Sequence, residues 1–511
     1  MGATTRVAPT IPHWGDCGGG AGLAPAPGDK MDTLNRLALV LILSIYAVMA
    51  TLYVVYTPPW QAPDEPAHYN YIRALAEERS LPVIEEGDYD QEYLGRLTSQ
   101  KFPPQLSVAP LRYEDHQPPL YYLLAVPVYL LFHGALIPLR LLSVALGLLL
   151  LTVVHRLARA LFPDRPFLAL AATALIAFLP QHVAMSAAVN NDMLAELLLA
   201  TVLWLAVRPH PRPWPLGAVV GLALLTKTTA YVALPVGLLA LWWDGARTNA
   251  DAARPHPARY AAAQTGRMLF AVLLLAGPWL IRNATVYGWT DPLGLARHNA
   301  VVQGQPRTAE WLAQYGPLGL ALRFLRTTFQ SFWGQFGWMG VPMHPPVYLA
   351  LAVLSALLGW GFLAWWLDRR RPRLTPLQRR GALLLTFSAA LTFLSYLWYN
   401  LTFVQHQGRY LFPALVPLAL AGALGLEWWT GRRAGVLLLG MGLMGIPLAL
   451  GWALRRTALP LWGGTGVLLS VLWLPALFAS RFRRPLMLAA WMVGMVGLNL
   501  YAIFWGIVPH L

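Results

Sequence analysis

Charge is scarce in this sequence. Asp, Glu, Lys and Arg make up 12% of 511 residues, about half the fraction usual for a soluble domain. Cysteine is scarcer still. Cys17 stands alone, so no intramolecular disulfide can form. Lysine is nearly missing from the last four-fifths of the chain, where Lys227 is the only one after Lys101. The net charge of +15 is carried by short arginine clusters rather than by a continuous basic groove, which excludes a nucleic-acid partner.

What the chain has instead is apolar length, with 57% apolar residues. Leu37–Tyr56, Val347–Leu367, Gly381–Val404 and Leu486–Val508 are each long enough to cross about 30 Å of hydrocarbon. Backbone groups in lipid must be satisfied internally, so these spans are expected to be helices. The fold class is therefore an all-α polytopic membrane protein. Spans are expected at 37–56, 139–155, 166–185, 191–207, 214–227, 229–243, 268–287, 347–367, 381–404, 410–429, 434–453, 461–479 and 486–508, about 13 in all. The Gly/Ala/Pro-rich head, residues 1–30, lacks the apolar core of a signal peptide and is expected to be disordered, with translation starting at Met1 or Met31.

Sidedness turns on Pro118–Phe132, about 15 residues with three prolines. If it does not cross, the basic linkers at 156–165, 208–212, 244–267, 368–380, 431–433 and 481–484 all fall on one side. The positive-inside rule then holds throughout, apart from Arg455 and Arg456. A juxtamembrane or re-entrant helix is expected there. The N-terminus becomes cytoplasmic and the C-terminus extracytoplasmic, with a first outer loop at 57–138 and a second outer segment at 288–346.

The first outer loop is the acidic part of the chain, with eleven acids and five bases. Asp64 and Glu65 follow the first span and open an expected helix, Pro66–Arg79, where Asp64 has the alternative role of an N-cap. They lie near His68 and upstream of His116-Gln117-Pro118-Pro119. Carboxylates clustered with histidines at the lip of a bundle can activate a hydroxyl or ligate a metal. Four further groups share that side. Asn191-Asp192 forms an outer turn, with an ordinary capped turn as the plain alternative. Lys227 could snorkel to the interface or bind phosphate as a point charge. Arg409, in Gln405-His406-Gln407-Gly408-Arg409-Tyr410, runs against positive-inside bias and points to an anion. Phe332 to Trp338, including Trp333, forms an interfacial aromatic belt or a cover for a sugar or a lipid chain.

Taken in order, Asp64-Glu65, His116-Gln117-Pro118-Pro119-Leu120-Tyr121-Tyr122, Arg140-Leu141-Leu142-Ser143, Asn191-Asp192, Lys227 and Gly408-Arg409-Tyr410-Leu411-Phe412-Pro413 resemble the GT-C superfamily of membrane glycosyltransferases. That superfamily includes protein O-mannosyltransferases and lipid A aminoarabinose transferases. The last motif, with Ser331 to Trp338, looks most like a bacterial branch of predicted membrane proteins. The resemblance covers roughly Leu37–Trp429, giving a GT-C-like catalytic module at 31–429 followed by C-terminal helices at 430–511.

The resemblance implies a polyprenyl-phosphate sugar donor at the outer leaflet of a bacterial inner membrane. The acceptor would be a cell-envelope glycan, lipid or protein. Asp64, with Glu65 beside it, would act as general base, and inversion would follow from in-line displacement. Lys227 and Arg409 would hold the lipid phosphate. His68, His116, Arg140, Asn191, Asp192, His406, Tyr410 and Trp333 would shape the pocket. Some members hold a divalent metal, Mg or Mn, on two outer-loop acids, here Asp64 and Asp192, and others need none; no cofactor is required. Two alternatives remain open, a transporter and a non-catalytic envelope-assembly protein. A transporter should show paired half-sites near the midplane, and no inverted repeat is visible.

Overall fold

The computed structural model describes residues 27–247, 257–302, 304–431 and 480–511. The expected spans at 434–453 and 461–479 and residues 1–26 of the head, with Cys17, lie outside the described residues, as do Arg455 and Arg456, whereas residues 27–30, expected to be disordered, are helical.

The apolar runs fold as helices. The first span is α1 (Pro27–Tyr56). The outer loop that follows carries α2 (Glu65–Arg73), α3 (Gln91–Ser99) and α4 (Leu120–Leu131). The bundle continues with α5 (Leu136–Leu161), α6 (Pro166–Ala177), α7 (Pro180–Ser186), α8 (Asp192–Ala206), α9 (Pro213–Leu224), α10 (Ala233–Arg247) and α11 (Pro257–Tyr287). A second outer segment holds α12 (Leu295–Val301) and α13 (Thr308–Trp333). After it come α14 (Pro345–Leu367), α15 (Pro376–Thr402), α16 (Leu415–Trp429) and α17 (Ser480–Tyr501).

Among the described residues, seven helices are long and apolar enough to cross a membrane, counting α16 together with the turn that leads into it. Counted as one span, the pair α6 and α7, bent by 68°, raises the number to eight. The break has a local cause. Pro180 disfavours helical backbone at the residue before it, and Leu179 is extended at φ −70°, ψ 112°. The three remaining expected spans coincide with the shorter helices α8, α9 and α10. At 12 residues, about 18 Å, α4 falls short of the hydrocarbon thickness, as was expected of Pro118–Phe132, and α9 has the same length. Leu131, Leu274 and Leu401 are each about two-thirds or more exposed; such a surface is apolar enough to face lipid.

Contacts between linkers define the two ends of the bundle. At one end Arg380 donates to the carbonyls of Arg208 and Ala240, both at 3.1 Å. Gln378 reaches the carbonyl of Leu161, and Glu427 takes Arg165 and Arg484. This is the arginine-rich end. The outer loop and the outer segment cover the opposite end. There a two-residue hairpin, β1 (Gln335–Phe336) with β2 (Val341–Pro342), anchors the loop: Trp338 Nε1 donates to the carbonyl of Trp60 at 2.9 Å and stacks on Phe102.

Candidate active site

At the N-terminus of α2, Asp64 takes the N-cap position but does not cap. Its backbone is left-handed, φ 65° and ψ −4°, and its side chain makes no capping bond. Aspartate tolerates that region better than most residues. Freed from capping, the carboxylate accepts from the Tyr113 hydroxyl at 2.9 Å on one oxygen and pairs with Arg409 on the other. Burial works against its charge, but the Arg409 guanidinium, with His68 and both hydrogen bonds, holds its pKa below the usual carboxylate value.

Arg409 comes from a 3-10 turn, Gly408–Ala414, that leads into α16. This turn presses on α13. A Cβ on Gly408 would lie 2.4 Å from the Phe332 nitrogen and the Thr328 carbonyl, and Ser331 Oγ accepts from the Gly408 amide at 2.7 Å. The arginine is aimed by Gln407, which accepts from its Nε at 2.7 Å, and its guanidinium lies 5.4 Å from the Tyr410 ring centroid.

The second cation sits at a helix break. Lys227 is extended, φ −161° and ψ 144°, between α9 and the 3-10 turn Thr228–Val232. Its ammonium meets Asp192, the first residue of α8, at 2.5 Å. Both ion pairs open onto one cavity of about 410 Å³ that also presents Glu114, His116, Glu196, His298, Tyr399 and Tyr410, within the range of small-ligand sites. Burial pushes the Glu114 carboxyl up, with Asp64 adding to the effect. It pushes His116 down to about 4, and His298, 4.5 Å away ring to ring, well below the usual histidine value.

Residues 116–277 match the family model described as dolichyl-phosphate-mannose-protein mannosyltransferase. No curated protein sequence matches the chain. Among solved structures it is similar to apo ArnT from Cupriavidus metallidurans, with a TM-score of 0.52 and 17% identity over 91% of this chain and 76% of that one. The same protein bound to undecaprenyl phosphate gives 0.50 and 16% over 94% and 77%. The chain has the GT-C fold.

Within this GT-C bundle the cavity brings together Asp64, His116, Asp192, Lys227, Arg409 and Tyr410. It does not include Glu65, His68, Arg140, Asn191, His406 or Trp333. Glu65, expected beside Asp64 as a catalytic acid, faces the other way. It is fully buried and held by Arg140 at 2.8 and 2.6 Å and by the amides of Trp60 and Val189 at 3.1 Å. Four donors occupy its two oxygens, so Glu65 and Arg140 join the outer loop to α5. His68 lies behind the wall, with Nδ1 2.9 Å from the Tyr122 hydroxyl. Asn191 donates to the Thr226 carbonyl at 3.2 Å. His406 packs edge-on against Trp311 and Phe324 of α13, and Trp333 is buried against Phe332.

The donors do not fit a metal ion. Asp64 and Asp192 are each committed to a cation, and no group of three or more His, Cys, Asp or Glu residues among those described could hold one. Glu114 and His298 carry no separate signal in the sequence. Glu114 is one of eleven acids in its loop, and His298 belongs to a segment with no motif of its own.

Proposed function

We propose that this protein transfers a sugar from a polyprenyl-phosphate donor to a hydroxyl of an extracytoplasmic acceptor, a cell-envelope glycan, lipid or protein. The observation that carries this is the convergence of Lys227 and Arg409, from different elements, on one cavity lined by carboxylates. Two cations suit a phosphate that gains charge as its bond to the sugar breaks. The family model is described by a dolichyl-phosphate sugar reaction, and one similar structure holds undecaprenyl phosphate; both fit a lipid-borne donor.

In the reaction, Arg409 and Lys227 keep their carboxylate partners and offer their remaining N–H groups to the donor phosphate. The acceptor oxygen attacks the anomeric carbon from the face opposite the phosphate, so the configuration inverts. Asp64 lines the cavity and keeps Arg409 in place. No metal takes part.

The arginine-rich end is assigned to the cytoplasm and the cavity to the outer face of a bacterial inner membrane, which puts the N-terminus inside and the C-terminus outside. A transporter is less well supported, because the ionisable groups gather at one end of the bundle rather than at paired midplane half-sites.

The test is binding of undecaprenyl phosphate to the full chain in nanodiscs. Wild type should bind saturably. Lys227→Gln and Arg409→Gln should each weaken binding about 10- to 100-fold, the worth of one charge-assisted hydrogen bond. Unchanged binding in both variants would contradict the proposal.

A further inference from the structure

Transfer to a hydroxyl needs a group to receive its proton, and the cavity offers four carboxylates: Asp64, Glu114, Asp192 and Glu196. Their partners separate them. Asp64 accepts from Tyr113 and Arg409 on its two oxygens. Asp192 is paired with Lys227, and Glu196 Oε2 lies 3.1 Å from His182. Glu114 differs: its side chain lines the cavity, and its Oε2 is buried with no hydrogen-bond partner among the described residues. A buried carboxylate oxygen without a partner is costly, and of the four acids at the cavity wall Glu114 is the one whose side chain holds no cation or hydrogen bond among the described residues.

We propose that Glu114, not Asp64, takes the proton from the acceptor hydroxyl. The assignment rests on the transfer reaction proposed above. As the acceptor oxygen bonds to the anomeric carbon, its proton passes to the Glu114 carboxylate. The bond from that carbon to the phosphate oxygen breaks, and the electron pair leaves with the polyprenyl phosphate. Asp64 stays ionised throughout and positions Arg409.

The surroundings of the two acids support this division. Glu114 is faced by His68 and Asp64 from the start of α2, by Lys227 from the α9 break and by Arg409 from the 3-10 turn. Its own loop adds Tyr113 and Asp115, α4 adds Tyr122, and Tyr399 and Tyr410 close the far wall. Burial is the largest influence and raises its pKa, with Asp64 adding and His68, Lys227 and Arg409 opposing. Asp64 is held low by Arg409 despite burial. Two acids whose environments push them apart divide their roles in this way, the higher one being the acid that exchanges protons.

The experiment follows release of polyprenyl phosphate against pH in nanodiscs, with undecaprenyl phosphate binding measured on every variant. In wild type, kcat/KM should rise as pH rises through the elevated Glu114 pKa. Glu114→Gln should lower kcat about 10²- to 10⁴-fold, the usual worth of a general base, keep lipid-phosphate binding and erase that acid limb. Asp64→Asn should lower the rate but keep the limb. Near-wild-type turnover by Glu114→Gln, or loss of the limb in Asp64→Asn instead, overturns the assignment while leaving the transferase intact. If Glu114→Gln no longer binds the lipid, Glu114→Asp decides. A reduced kcat with the limb retained upholds the proposal, and wild-type kcat overturns it. No release by wild type from any polyprenyl-phosphate sugar removes the transferase and this assignment together.

Discussion

Arg140 and Glu65 meet through two parallel contacts, 2.8 Å from Nε and 2.6 Å from Nη2, while the same guanidinium donates to the carbonyls of Val54, Thr57 and Pro58. The pair fastens the exit of α1 to α5. Removing one partner of a buried, fully bonded ion pair strands the other charge, at a cost of about 3–5 kcal/mol. Glu65→Gln and Arg140→Met should therefore each lower the unfolding midpoint in detergent. A midpoint unchanged from wild type would show that the pair does not hold the loop.

How much of this was legible in the sequence depended on the kind of signal. Isolated cations on the acidic side of the bundle stood out against positive-inside bias, and Lys227 and Arg409 do share one cavity. Neighbours in sequence were harder. Asp64 and Glu65 read as one acidic pair, yet the left-handed backbone at Asp64 turns the two carboxylates to opposite sides. His406 was expected in the pocket because it adjoins Arg409. It instead packs on α13, two helical segments meeting at a kink at Gly316, whose mixed polarity hid them inside an outer segment. The bend at Pro180 leaves no mark in the sequence, since hydropathy does not register a bend. Glu114 was hidden for a different reason: burial of one acid in an acidic loop depends on contacts with distant elements.

The Lys227–Asp192 pair gives a second prediction. Lys227→Met keeps the apolar stem, removes the charge and leaves Asp192 without its ion-pair partner. The apparent KM for donor should rise about tenfold or more, as expected when a charge-assisted contact to phosphate is lost. Steady-state kinetics over a donor series checks this. A change in kcat with KM unaltered would place Lys227 outside donor binding.

Gly408 gives a third. A methyl group there would meet backbone atoms of α13 at 2.4 Å, and backbone yields less easily than a flexible side chain. Gly408→Ala should displace the turn carrying Arg409, lowering turnover strongly although no functional group is removed. Wild-type kinetics in this variant would show that the turn has room to adjust.

Metal removal is the fourth. With Asp64 and Asp192 each neutralised by a basic side chain, charge on the departing phosphate is met by Lys227 and Arg409. Exhaustive chelation should leave turnover unchanged, and added Mg or Mn should not stimulate it. Loss of activity on chelation, restored by one of these ions, would mean that the carboxylates release their cations to a metal.

The most direct measurement is release of free polyprenyl phosphate from a panel of polyprenyl-phosphate sugars by the full chain in nanodiscs, wild type beside Asp64→Asn. Release by wild type, reduced about 10²-fold or more when Asp64 no longer holds Arg409, is the predicted result. No release from any donor, or equal release by both proteins, would contradict a transferase whose site is the cavity between Asp64, Lys227 and Arg409.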